Sequence, residues 1–262
     1  MATTSAELQA PSLALLLAEP GRALAEFGLL VPGLPLLCAA KRGDGHPVLV
    51  LPGMAAGDSS TLPLRGFLKK KGYAVYGWEQ GRNNGSEKLI EPLQQRLALL
   101  RRRHGAKVSL IGWSLGGIYA RELAKLAPQD VRCVITLGSP FKGPYRASNV
   151  WRVYEFLSGR KGSDESSQRF AQPPPVPATA IFSRSDGIVA WQRCTEVPGA
   201  AAESVEVDGS HSGLGHNALA LYVMADRLAE PDGDWHPFRP GGALRFLYRN
   251  PWRGQTHRNA QQ

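Results

Sequence analysis

Hydrophobic positions between residues 45 and 230 follow two alternating periods. Continuous apolar runs at 47–52, 74–78, 108–111, 131–137, 178–183 and 204–207 are bounded by proline, glycine or polar turns, as short buried strands are. Stretches of helical spacing lie between them. Leu62, Leu64, Phe67 and Leu68 share one side of 58–71, and Leu89, Leu93, Leu97 and Leu100 share one side of the next. Asp58, Ser59 or Ser60 is expected to cap the first of these, and Pro92 suits only the opening turns of the second. Residues 118–126, a short piece at 150–157, and 218–229 with Leu221, Tyr222, Ala225 and Leu228 on one face continue the series. The alternation predicts an α/β fold: a mostly parallel sheet of about six strands with helices on both faces.

Three segments depart from this rhythm. Residues 1–44 form an N-terminal arm in which Leu13, Leu16, Leu17, Ala23, Leu24 and Phe27 recur at helical spacing. Pro20-Gly21 predicts two short helices or one broken helix there. The arm either packs on the domain, the preferred expectation, or meets a membrane surface or substrate entrance. Residues 141–177 are expected to form a small cap insertion over the domain at 45–230. Its Phe141, Tyr145, Trp151, Tyr154 and Phe156 either line an acyl pocket or make the insertion's own core. Residues 231–262 are a basic, aromatic tail.

Composition adds limits rather than chemistry. Three scattered cysteines and no Cys/His pair at ligand spacing exclude a disulfide framework and give no structural zinc site. Cys133, in an apolar run, reads as core. The N-terminus has no basic region before its apolar part, and the longest nearly apolar stretch is too short to span a bilayer, so a cytoplasmic location is expected. The net charge is +9, and from residue 235 onward there are five arginines and no acid. Arginines there interleave with Trp235, Phe238, Phe246, Tyr248 and Trp252, which would suit an anionic membrane or a single-stranded nucleic acid. A tail wrapped on the domain through its aromatics is the preferred reading, and nucleic acid is not the expected partner.

Chemistry concentrates where the strand at 108–111 breaks. Gly112-Trp113-Ser114-Leu115-Gly116-Gly117 places glycines two residues before and two after a serine, between a strand and a helix. A sharp bend of that kind lifts one hydroxyl above the sheet edge and aims a helix N-terminus at it. A serine nucleophile needs a base, an acid that orients the base, and donors for the developing oxyanion. Candidates stand at other strand ends. The base is His211 or His216, with His211 preferred because it follows the last strand directly. The acid is Asp186, with Asp208 as competitor, although an Asp-Gly turn aspartate bonding its own backbone is the plain alternative. Backbone N–H groups of Met54 and Leu115 are the expected oxyanion donors.

These motifs resemble those of the α/β-hydrolase superfamily, in particular its compact lipase- and esterase-like members. Val-Leu-Val-Leu-Pro-Gly-Met at 48–54, Gly-Trp-Ser-Leu-Gly-Gly at 112–117, Ser-Asp-Gly-Ile-Val at 185–189 and Gly-Ser-His at 209–211 carry the resemblance, which covers 45–230. It implies an α/β-hydrolase fold with its first strands reduced. It also implies a serine hydrolase of carboxylic esters, with Ser114 as nucleophile, Asp186 as acid and His211 as base. No cofactor or metal is implied, and the substrate would be a small-molecule or lipid ester. A thioesterase, perhydrolase or acyltransferase would use the same parts, and a non-catalytic binding protein of this fold remains an alternative.

Overall fold

The computed structural model describes residues 8–144, 146–159, 164–197 and 199–249. The chain begins with helices α1 (Leu13–Gly28) and α2 (Leu34–Ala39) and then enters the sheet. From there β1 (Pro47–Leu51), α3 (Leu62–Lys70), β2 (Ala74–Gly77), α4 (Ile90–His104), β3 (Val108–Trp113), α5 (Leu115–Leu126) and β4 (Val131–Leu137) alternate. Two short helices, α6 (Trp151–Ser158) and α7 (Asp164–Ala171), precede β5 (Ala178–Phe182), β6 (Ala202–Glu206) and α8 (Ala218–Leu228). The six strands pair in the order β2-β1-β3-β4-β5-β6, every pair parallel.

Alternate side chains of each strand serve opposite layers, as the pleat requires. Val48 and Val50 of β1 join Leu64 and Leu68 of α3 and Val223 and Met224 of α8 in one core. Leu49 and Leu51 face the other way, onto Leu93 and Leu97 of α4 and Leu123 of α5. Both faces of the central strands are therefore dry, which is why β1 reads as an unbroken apolar run, whereas β6 at the sheet edge carries Glu203 and Glu206.

Two expectations for the helices need correction. Pro20-Gly21 does not break the N-terminal helix: α1 runs through Pro20 as one 16-residue helix. Proline removes one backbone bond there, and long-range side-chain contacts described below hold the turns on either side of it. Asp58 is not the cap of α3. It opens a separate 3₁₀ turn, Asp58–Thr61, and its carboxylate accepts from Trp78 N at 2.9 Å and Glu79 N at 3.1 Å, so it closes the end of β2.

Arg121 and Glu122 of α5 both bind the inserted region, Glu122 through an ion pair with Arg169 at 3.2 Å. Arg121 of α5 is fully buried, ion-paired with Glu196, and donates to the carbonyl of Gln172 at 3.1 Å. Its guanidinium lies 3.8 Å from the centroid of the Phe141 ring. Of the insertion's aromatics, Phe141 is thus core, Tyr154 packs on the layer containing Leu115, and Phe156 is exposed. Tyr145 lies outside the described residues. The C-terminal segment lies against α8 through Phe238 and Tyr248, whose rings meet edge to face at 4.9 Å. The Tyr248 hydroxyl donates to Leu219 O at 3.1 Å. Trp252 and the last arginines lie outside the described residues.

Breaking a buried ion pair from one side strands a charge. Arg121→Met is expected to cost ~3–5 kcal/mol in urea denaturation, with much of the loss recovered in Arg121→Met/Glu196→Leu. Equal losses in the single and double variants would show that the pair is not what fastens the insertion.

Candidate active site

Strand order sets where a site can form. β1 is followed by β2 on one side and by β3 on the other, so the chain reverses direction across the sheet between β1 and β3. Loops leaving the C-terminal ends of those two strands diverge and open a crevice. Gly53-Met54 leaves β1 there, and Ser114 leaves β3.

The bend at Ser114 is as tight as the motif requires. Ser114 has φ 53° and ψ −122°, a left-side conformation that costs a residue with a side chain. A Cβ at Gly112 would run into the backbone of Gly116 and Gly117, and one at Gly116 would run into the Leu51 carbonyl. Glycine is therefore demanded at both positions by close backbone approach. The Ser114 amide donates to Leu137 O at 2.7 Å, tying the bend to the end of β4.

The Leu115 N–H is the first of α5, where a helix has no acceptor of its own to offer. The Met54 N–H donates to no protein acceptor among the described residues. Its loop is pinned by Asn83, which is fully buried. Asn83 O accepts from Ala55 N at 2.7 Å, and Asn83 Nδ2 donates to Pro52 O at 2.9 Å. Asn83 went unread in the sequence, where it stands in a polar glycine-bearing loop like any turn asparagine.

Asp186 and His211 meet. His211 Nδ1 lies 2.6 Å from Asp186 Oδ2, and both side chains are buried. The other carboxylate oxygen, Oδ1, accepts from Ile188 N at 2.8 Å and Val189 N at 2.7 Å. Asp186 thus makes the turn and holds the imidazole with one oxygen each. The His211 carbonyl accepts from Trp113 Nε1 at 3.1 Å, which fixes its loop beside the residue preceding Ser114. His216 is placed elsewhere: its Nε2 is 2.9 Å from Ala23 O, and its ring packs edge-on against Phe27. Asp208 is exposed and 3.5 Å from Arg249, so neither competitor joins the pair.

Burial alone would lower the His211 pKa, but the Asp186 charge and hydrogen bond, with Glu19 adding to them, carry it above its ordinary value. Glu19 belongs to α1. Its Oε1 accepts from Gly187 N at 2.8 Å and His211 N at 3.0 Å, and its Oε2 from Ser212 N at 2.9 Å. Glu26, two turns on, accepts from Ser210 N at 2.6 Å, and Arg22 between them donates to Ser185 O at 2.6 Å. One face of the N-terminal helix therefore clamps both the acid loop and the base loop. A signal was present in the sequence: Glu19, Arg22 and Glu26 are the only charges in residues 8–40, and their spacing of three and four puts them on one helical face.

A second Ser-His-Asp set lies at the opposite end of the sheet. His46 Nδ1 is 2.5 Å from Asp44 Oδ1 and its Nε2 is 2.8 Å from Ser109 Oγ. Ser109 is wholly buried within β3, beside an irregularity in its register with β4, and strand rather than a helix follows it. A substrate has no way to reach it. Burial pushes the His46 pKa down despite Asp44. Among the described residues no cluster of three or more His, Cys, Asp or Glu could hold a metal ion.

No family model matches the chain. A triacylglycerol lipase of Burkholderia plantarii is 31% identical over 141 residues, covering 48% of this chain and 38% of that protein. One of Pseudarthrobacter phenanthrenivorans is 32% identical over 121 residues, covering 41% of this chain and 37% of that protein. The chain thus spans less than two fifths of either curated relative. Among solved structures, a Bacillus licheniformis lipase superposes with a TM-score of 0.54 at 16% identity, covering 73% of this chain and 95% of that one. An Oenococcus oeni α/β superfamily hydrolase also gives 0.54, at 15% identity, covering 70% and 91%. Aspergillus fumigatus lipase B gives 0.52 at 18% identity, covering 75% and 56%.

Burial alone would raise the Glu19 pKa, but the amides it accepts hold it below its ordinary value of 4.5. Its charge therefore stabilises the fold in full above about pH 4.5, and that stabilisation is lost as pH falls through the lowered folded value. At pH 7, Glu19→Ala is expected to cost ~3 kcal/mol, since three amides lose their acceptor at about 1–3 kcal/mol for each buried donor left unpaired. On acidification the native chain should lose stability more steeply than Glu19→Gln. Parallel pH–stability curves for the two would remove the charge from this account.

Proposed function

The chain has the α/β-hydrolase fold, and from that premise we propose that it hydrolyses carboxylic esters through Ser114, His211 and Asp186. The observation that carries the reading is the buried His211–Asp186 couple, together with a strained, elbow-mounted Ser114 at the same carboxyl edge of the sheet and a Trp113 indole that holds the His211 carbonyl.

Ser114 Oγ attacks the ester carbonyl while His211 Nε2 takes its proton. The C–O bond that forms drives the carbonyl electrons onto oxygen, where the Met54 and Leu115 N–H groups receive the charge. Collapse expels the alcohol, which takes the proton from His211 and leaves Ser114 acylated. Water then enters by the same route, with His211 again the base, and releases the acid. Asp186 keeps the His211 proton on Nδ1 and stabilises the imidazolium in each half-reaction. Met54, Ile118 and Tyr154 pack with Leu115 in one apolar layer, which favours an ester whose acyl part is apolar.

Ser114→Ala is expected to abolish both p-nitrophenyl ester turnover and fluorophosphonate labelling while the thermal transition stays in place. Labelling that persists would transfer the nucleophile to another residue. His211 must be neutral to accept a proton, so kcat/KM should rise with pH along a limb centred above 6.5, the ordinary histidine value. Glu19→Gln removes one of the charges that raise the imidazole and should move that limb to lower pH. An unmoved limb would show that Glu19 does not act on His211 electrostatically.

A further inference from the structure

Helix α1 is amphipathic in the reverse of the usual sense. Its charged face, Glu19, Arg22 and Glu26, is turned inward and bonded to the acid and base loops. Its apolar face is turned out: Leu17 is 80% exposed, Leu24 73% and Leu13 70%. The connection to α2 continues the exposed face through Leu29 and Val31. Because residues 8–40 hold no other charges, this outer surface carries none. Single exposed leucines are ordinary on a protein surface, but a continuous uncharged face of this kind marks a contact.

A groove of ≈ 690 Å³ opens between the arm and α3, walled by Leu30, Leu34, Leu37 and Phe67. Arg42 and Lys70 stand at its rim, and neither has a carboxylate partner among the described residues. No acidic residue lines it. A symmetric pairing of two chains through this face would set cation against cation. A surface offering hydrocarbon and phosphate together matches both features at once. No described helix is long and apolar enough to cross a membrane, and α1 with 16 residues would lie along the surface, its apolar face among the acyl chains.

We propose that the N-terminal arm and its groove dock on an anionic lipid bilayer, with Leu13, Leu17 and Leu24 entering the interface and Arg42 and Lys70 meeting headgroup phosphates. Docking needs no catalytic turnover and stands apart from the ester-hydrolase reading, because it is measured as binding.

Flotation of the full chain with vesicles of phosphatidylcholine alone, and of phosphatidylcholine with one quarter phosphatidylglycerol, tests it. The native chain is expected to float with the anionic vesicles and to lose most of that binding in 0.5 M salt. Leu17→Glu/Leu24→Glu is expected to abolish flotation. Arg42→Ala/Lys70→Ala should weaken it about thirtyfold on anionic vesicles, the attraction of two surface cations. Absence of native flotation, flotation indifferent to the anionic lipid, or equal flotation of native chain and leucine variant overturns the proposal. So does a dimer in light scattering that the leucine variant splits, which would give the face to a second copy of the chain. If the leucine variant fails to fold, Arg42→Ala/Lys70→Ala decides: anionic-vesicle binding equal to that of the native chain overturns the proposal.

Discussion

Backbone crowding at the turn from β3 into α5 leaves no room for a side chain at Gly112 or Gly116, because Gly117 and the Leu51 carbonyl already occupy the space. Ser114, between them, accepts a left-side φ as the cost of the turn. Much of the site's arrangement follows from this one bend. It brings the N-terminus of α5 against the end of β1, where Gly116 lies on the Leu51 carbonyl and Gly53 on Ser114. It also places Trp113 where its indole can hold the carbonyl of His211. The ends of β3 and β4 and the His211 loop are thus coupled through backbone and ring contacts, and the candidate site residues inherit their positions from the sheet.

Legibility followed the range of the interactions. Strand and helix identities were readable because both sheet faces are buried, which leaves long apolar runs that polar turns punctuate. The elbow was readable because its glycines and serine fall within six residues, although the space at Gly116 is closed by the Leu51 carbonyl of another strand. The choice of His211 over His216 could be argued from chain order, but the role of His216 against α1 could not, because it depends on a contact with Ala23 nearly two hundred positions away. Glu19 and Asn83 were missed for the same reason: each serves backbone amides or carbonyls of a distant loop, and such partners have no side-chain identity to search for. The helix through Pro20 was misjudged because propensity counts one lost backbone bond and not the bonds made by Glu19, Arg22 and Glu26.

The Asp44–His46–Ser109 set shows how little three side chains define by themselves. It has the hydrogen-bond geometry, and at its serine it lacks the bend, the free amides and the access. What separates the two ends of the sheet is backbone rather than side-chain chemistry. The connections leaving the paired carboxyl ends of β1 and β3 run to opposite sides of the sheet, while at the amino end His46 is covered by the Tyr73 ring.

The clamp from α1 also has a consequence in time. Glu19 and the His211 amide it binds are 192 positions apart, so at roughly 5–20 residues per second the carboxylate leaves the ribosome some ten to forty seconds before its partner. Until then the helix has no bonded face of either kind, and its leucines depend on whatever the nascent chain meets. The loop that must close to seat it is longer than the domain at 45–230 itself, which puts seating of the helix among the last events of folding. In this protein the helix at 13–28 is made well before the loops it clamps and is among the last elements to find its place.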